Sequence, residues 1–189
     1  KSISLLMKNG FVIVKNFINS DFTDYLQKYF SILCEGGYLK SGDPDAPDSP
    51  CIYGDPAFDC LMLKKKQDVE KEVSKNLIPQ YSYSRIYQPK SILKKHLDRS
   101  SCEYSVTLSL GGQYEEMWPI WIKDYNGVEH CIKLDSGDAM IYDGVTCEHW
   151  RDEFKGEKQY QIFMHYVDAN GKFKDMKYDG RSHLGIIIS

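Results

Sequence analysis

The chain has 189 residues, with 24 Lys and Arg against 27 Asp and Glu and a formal net charge of −3. That length suits one well-buried domain and is short for two, and the charge balance lacks the clustered basic face of a nucleic-acid binder. No apolar stretch approaches the roughly eighteen residues of a membrane span, and Ile3–Met7 is too short for the apolar part of a secretory signal, so no membrane partner is expected.

In chain order, Ser2–Asn9 reads as a short helix stopped by Gly10, and Phe11–Val14 as a compact buried strand. Asn19-Ser20 offers a helix N-cap, after which Phe22, Tyr25, Leu26, Tyr29, Phe30 and Leu33 repeat at helical spacing and predict a core-facing stripe. Gly36-Gly37 closes that helix. Residues 40–59 hold four prolines and five aspartates, a composition that predicts a long irregular loop acting as a lid. Asp68–Leu77 reads as a second helix ending before Pro79, with Lys64-Lys65-Lys66 covering its solvated start.

From Tyr83 the pattern turns to strands. Tyr83–Lys95 reads as a strand, a Pro89 turn and a second strand that delivers His96. Cys102–Leu110 is strand-like and ended by Gly111-Gly112. Leu134–Gly144 reads as turn, short strand and turn just before His149, and Gln159–Val167 is an aromatic-rich strand.

His96-Leu97-Asp98 carries the first chemical signal. In His-x-Asp both side chains leave the same side of a strand end, so both reach one metal. A second imidazole from an adjacent strand would complete two His and one carboxylate, the facial set of non-haem iron(II) sites. Four other histidines are available. His130 sits beside Cys131 in an alternating hairpin strand, and His183 lies in a polar tail. His149 stands 53 residues beyond His96, after the turn-strand-turn, and is the preferred third ligand; His165, inside the last strand, is the alternative.

The six cysteines show no Cys-x-x-Cys pair and read as reduced thiols of an intracellular protein, though nothing in the spacing excludes a Cys51–Cys60 bridge. A zinc site from Cys147, His149, His130 and Cys131 is a sharper alternative, against which strand alternation argues.

The order of strands around His96, Asp98 and His149 resembles the double-stranded β-helix of the 2-oxoglutarate- and iron(II)-dependent oxygenases, and their prolyl-hydroxylase-like branch in particular. There a Tyr-x-Pro turn precedes the first ligand by nine residues, as Tyr87 precedes His96. The resemblance covers roughly residues 80–168. It implies a mainly β, α+β chain of one domain over 1–189, with helical support over about 1–78 and a jelly-roll barrel core over about 80–168. It also implies iron(II), 2-oxoglutarate and O2, with ascorbate as an admissible auxiliary, and hydroxylation of an unactivated C–H bond. A peptidyl proline is the first substrate expectation, with a free amino acid or small metabolite as the alternative. Asp98 argues against a halogenase, which needs that coordination position for chloride. A cupin-like metal-binding module without oxygenase activity is the reading from another class. Oligomeric state is not legible.

The co-substrate anchor is where the residues and the resemblance part. The family carries an Arg or Lys on its last strand nine or ten residues after the distal His, and Lys158 falls at that spacing. Yet Lys158 shares parity with Tyr160, Ile162 and Met164, which suit burial against the helices, whereas Gln161 faces the other way. If His149 points inward so does Arg151, about 6–7 Å deeper at roughly 3.3 Å per residue. A guanidinium grips a carboxylate bidentately. Arg151 is therefore the expected anchor, with Gln161 or Tyr87 as a second donor; the bland alternative pairs Arg151 with an Asp or Glu. Tyr87 also resembles the family's tyrosine that hydrogen-bonds the co-substrate. Tyr114, Trp118 and Trp121 are read either as lining an opening or as packing.

Overall fold

A computed structural model describes residues 5–187, so the start of the Ser2–Asn9 helix lies outside the described residues. Three helices precede most of the strands: α1 (Leu5–Asn9), α2 (Ser20–Glu35) and α3 (Pro56–Val73). Among the described residues the ten strands are β1 (Phe11–Val14), β2 (Cys51–Tyr53), β3 (Leu77–Tyr87), β4 (Leu93–His96), β5 (Tyr104–Gln113), β6 (Ile120–Lys123), β7 (Glu129–Ile132), β8 (Ala139–Asp143), β9 (His149–Arg151) and β10 (Lys158–Asp168).

They form a six-stranded sheet in the order β1-β8-β5-β10-β3-β2 and a four-stranded sheet in the order β4-β9-β6-β7. Every pairing is antiparallel. This is the double-stranded β-helix architecture, but among the described residues no ladder joins the two sheets, so the expected closed barrel is instead an open pair of sheets.

Side-chain alternation decides which residues can reach the space between the sheets. On β10, Ile162, Met164 and Tyr166 pack with Leu26, Phe30, Phe58 and Met62 in the helix-side core. Gln159, Gln161, Phe163 and His165 therefore turn inward, as the sequence parity predicts. On β3 the same rule sends Ile86 to the helices and Tyr81, Tyr83, Arg85 and Tyr87 inward.

The Asn19 carboxamide caps α2 by accepting from Phe22 N at 2.9 Å. Leu26, Phe30 and Leu33 are buried as expected, but Tyr25 is 62% exposed and stacks on Phe22 at the helix surface. One position from Leu26 is 100° around a helix, which takes Tyr25 off the core face.

Three boundaries in this region differ from the sequence reading. Asp55-Pro56 is a helix start: the Asp55 carboxylate accepts from Ala57 N and Phe58 N, and Pro56 occupies the first turn. So α3 begins twelve residues before Asp68, and Lys64–Lys66 sit in mid-helix, with Lys66 paired to Glu70. It ends at Ser74 in the left-handed conformation, and Leu77 opens β3 rather than closing a helix. The irregular stretch shrinks to residues 40–50, because Cys51–Tyr53 pairs with Tyr83–Arg85. Cys51 and Cys60 are both free.

Gly111-Gly112 does not end β5, which runs on to Gln113. A Cβ at Gly112 would overlap the Lys158 carbonyl, so this glycine serves close approach to β10. Among the described residues no helix is long and apolar enough to cross a membrane.

Candidate active site

His96 closes β4 and His149 opens β9, and the two are direct partners in the ladder. Their ring centroids are 4.3 Å apart. Each Nδ1 is committed to a backbone carbonyl, His96 to Lys94 O at 2.6 Å and His149 to Cys147 O at 2.9 Å. Such bonds fix the tautomer and leave Nε2 as the ligand atom. Both Nε2 atoms lie 3.4 Å from Asp98 Oδ1. All three ligand atoms fall within 4.8 Å of one another, a spacing one cation can bridge.

Asp98 is held from two sides. Its N–H donates to Gly144 O at 2.8 Å, and Ser105 Oγ donates to Oδ2 at 3.2 Å. Burial alone would raise its pKa, but the His149 and His96 imidazoles hold the carboxyl well below the usual carboxylate range. Leu97, between the two ligands, is 54% exposed, as alternation requires.

His165 lies nearby in a second group with Asp98 and Cys102. Its Nδ1 meets Ser105 Oγ at 2.7 Å and its ring packs 4.6 Å from Tyr81. Burial pushes its pKa down to about 4. Cys102, whose sulfur meets Tyr81 Oη at 3.1 Å, was not singled out by sequence, and no spacing marks it. The alternative zinc set does not assemble: His130 pairs with Asp124 at 2.9 Å, and Cys147 contacts the Gly10 carbonyl at 3.6 Å. His183 is exposed in the C-terminal stretch.

Arg151 is buried as parity predicts, 2% exposed. Its Nη1 donates to Trp118 O at 2.7 Å, and the guanidinium lies 4.7 Å from the Trp118 ring and 5.9 Å from the Tyr87 ring. The ion pairs among the described residues give it no Asp or Glu, which removes the bland reading. Arg151 Nε and the Tyr87 hydroxyl are buried with no partner. Burial lowers the Arg151 pKa, and the Tyr87, Tyr142 and Tyr114 phenols oppose it only in part.

The remaining candidates divide. Gln161 is inward but committed, donating to Thr107 Oγ1 at 2.7 Å and accepting from Gln159 Nε2 at 3.0 Å. Lys158 is exposed at the start of β10, opposite Gln113, because its parity and position take it out of the inter-sheet space. Tyr114 and Trp118 line a cavity of about 740 Å³ at that end of the sandwich. Trp121 stacks on Trp150 at 6.0 Å and does not line that cavity.

The metal-ligand candidates open into a cavity of about 450 Å³ that Tyr83, Arg85 and His165 also line. Arg85 escaped the sequence reading, although its i, i+2 relation to Tyr87 on one strand would have placed it inward. Its Nη2 donates to Asp43 Oδ2 at 2.6 Å, and Nε and Nη1 are buried without a partner.

No family model and no curated protein matches the chain. Solved structures do. A prolyl-4-hydroxylase from Pseudomonas putida superposes with a TM-score of 0.71 at 14% identity, over 86% of this chain and 95% of that one. The non-haem alpha-ketoglutarate-dependent epimerase SnoN from nogalamycin biosynthesis gives 0.75 at 10% identity, over 95% and 89%. HygX from Streptomyces hygroscopicus, with nickel and 2-oxoglutarate bound, gives 0.68 at 15% identity, over 88% and 85%. At these identities the likeness establishes the fold.

Proposed function

We propose that the chain is an iron(II)- and 2-oxoglutarate-dependent oxygenase, acting as one domain, that hydroxylates an unactivated C–H bond. The observation that carries this reading is the convergence of His96 Nε2, His149 Nε2 and Asp98 Oδ1 on one point. Two neutral imidazoles and one carboxylate suit iron(II) and leave positions for other ligands. Iron held there supplies, with 2-oxoglutarate and O2, the oxidising power that no side chain has.

The residues around it do the rest. The Lys94 and Cys147 carbonyls hold the imidazoles in the ligating tautomer. Arg151 Nε and the Tyr87 hydroxyl are buried donors left without an acceptor, which suits the far carboxylate of 2-oxoglutarate. Tyr142, edge-on to His149 at 4.8 Å, and Phe163 wall the cavity with apolar surface and exclude water. A peptide or a small molecule is the prime substrate, with a peptidyl proline the first class to try.

The test is iron(II)-dependent conversion of 2-oxoglutarate to succinate by the purified chain, with no prime substrate added. Slow uncoupled turnover, absent from His96→Ala and His149→Ala, is expected. Tight metal binding with neither turnover nor 2-oxoglutarate binding would instead make the chain a cupin-like metal module.

A further inference from the structure

Arg85 and Arg151 approach Tyr87 from opposite sheets, with guanidinium carbons 5.4 and 5.9 Å from its ring. One co-substrate carboxylate needs only one of them. Arg85 lines the same cavity as His96, Asp98 and His149, yet its side chain is only 6% exposed.

Its present partner fits it poorly. Asp43 stands on the irregular 40–50 stretch and offers Arg85 a single oxygen, Oδ2, which also accepts from Tyr83 Oη at 2.7 Å. The other oxygen, Oδ1, holds the local turn by accepting from Asp45 N and Ala46 N, each at 3.0 Å. Arg85 Nε and Nη1 are left with no acceptor. A buried donor without an acceptor is costly, and a fork of guanidinium N–H groups is matched by both oxygens of one carboxylate. Exchanging Asp43 for a free carboxylate leaves the buried charge unchanged and satisfies more donors.

We propose that Arg85 takes a carboxylate of the prime substrate in exchange for Asp43, so that the substrate is a small carboxylic acid, such as a free amino acid, rather than a proline within a peptide. The inference rests on the oxygenase reading for its division between co-substrate and substrate, and it selects the small-molecule alternative. A cavity of about 450 Å³ has the size of a small-ligand site. The 40–50 stretch is anchored by the Lys40–Cys51 backbone pair, by Pro50 O accepting from Ile86 N, by buried Ala46, and by Ser49 Oγ to Ser91 Oγ at 3.0 Å and Lys94 Nζ to Pro44 O at 3.0 Å. Between those anchors only the Asp43 side chain has to turn away as the acid enters.

The test reads the two arginines separately. Side-chain Nε–H resonances are recorded by 15N NMR on the full chain loaded with zinc(II), and Arg85→Lys and Arg151→Lys assign the two signals. The expected result is that 2-oxoglutarate moves the Arg151 signal and not that of Arg85. Acetate added afterwards then moves Arg85 saturably, with a dissociation constant on the order of millimolar for so small a ligand. Acetamide and chloride at equal concentration leave it in place. Asp43→Asn tightens acetate on the order of tenfold, since the competing carboxylate is gone; if that variant fails to fold, the wild-type titration decides alone. A shift of Arg85 by 2-oxoglutarate, an equal shift by chloride, or no shift by acetate overturns the proposal while leaving the oxygenase reading intact. No response of either arginine to 2-oxoglutarate counts against the oxygenase reading instead.

Discussion

His96 and His149 face each other across the β4–β9 ladder, with both Nε2 atoms 3.4 Å from the same Asp98 oxygen. Because the pair is a ladder partner and each Nδ1 is tied to a carbonyl, the site is preorganised by backbone rather than by a metal. Alanine at any of the three positions should therefore abolish stoichiometric binding of nickel(II) or iron(II), measured by calorimetry, while the circular dichroism spectrum stays that of the parent. His165→Ala should keep one metal per chain. Metal binding lost in His165→Ala and kept in His149→Ala would move the site to the Asp98, Cys102 and His165 group.

Gly144 gives a way to damage the site without touching a ligand. Its carbonyl accepts from Asp98 N at 2.8 Å, and a Cβ built on it would overlap Asp98 Oδ2 and the Cys102 carbonyl. Gly144→Ala should thus weaken metal binding by at least tenfold, equivalent to about 1.4 kcal/mol. Unchanged affinity in a folded Gly144→Ala protein would show that the Asp98 loop can shift freely.

Arg151→Met should raise the KM for 2-oxoglutarate roughly 30-fold or more, from a loss on the order of 2–5 kcal/mol when one member of a buried charge pair is removed. Lys158→Met, at an exposed position, should change it little. A stability measurement separates binding from catalysis. Without 2-oxoglutarate the Arg151→Met protein should melt no lower than the parent, because a buried cation without an acid is removed. With metal and 2-oxoglutarate at a hundred times its Kd, the parent should gain about 2.7 kcal/mol and the variant nothing. A 2-oxoglutarate effect that vanishes in Lys158→Met would restore the family spacing.

What the sequence revealed follows from how local each signal is. The His-x-Asp pair, the inward set of Gln161 and Arg151 and the Asn19 cap depend on neighbours one to three residues away, and all lie where alternation or capping puts them. The start of α3 was equally local, but Asp55-Pro56 was hidden in a run of prolines and aspartates that read as loop. Arg85 and Asp59 were illegible as partners because their roles come from chain segments 42 and 122 residues away. Cys102, in the short 3-10 turn before β5, joins Asp98 four residues before it and His165 across the sheet. Nor does any local pattern tell an open pair of sheets from a closed barrel.

Asp59 illustrates the cost of such a hidden contact. Buried on α3, it accepts from Ser82 N at 2.8 Å and Ser82 Oγ at 2.7 Å, and it pairs with Arg181 Nη1 at 3.0 Å. Asp59→Ala leaves the Arg181 guanidinium, 3% exposed, without its acid. The expected loss is about 3–5 kcal/mol in urea unfolding, with one metal per chain still bound where the variant is folded. A change below about 1 kcal/mol would mean that Arg181 reaches water once its partner is gone.

His165 makes stability depend on pH in a defined direction. Burial lowers its pKa from 6.5 to about 4, with Arg99 acting the same way and Asp98 opposing. Between those values the unfolded chain takes up a proton that the folded chain refuses, so stability falls as pH falls and the loss is complete below about 4. The full shift corresponds to about 3 kcal/mol at 1.36 kcal/mol per pH unit. Gln at this position can still bond to Ser105 and does not titrate. The metal-free His165→Gln protein, unfolded by urea at pH 7 and at pH 4, should therefore lose less stability than the parent by about that amount. Identical pH dependence in the two proteins would show that His165 is protonated in the folded state without penalty, with water reaching a ring that is 6% exposed.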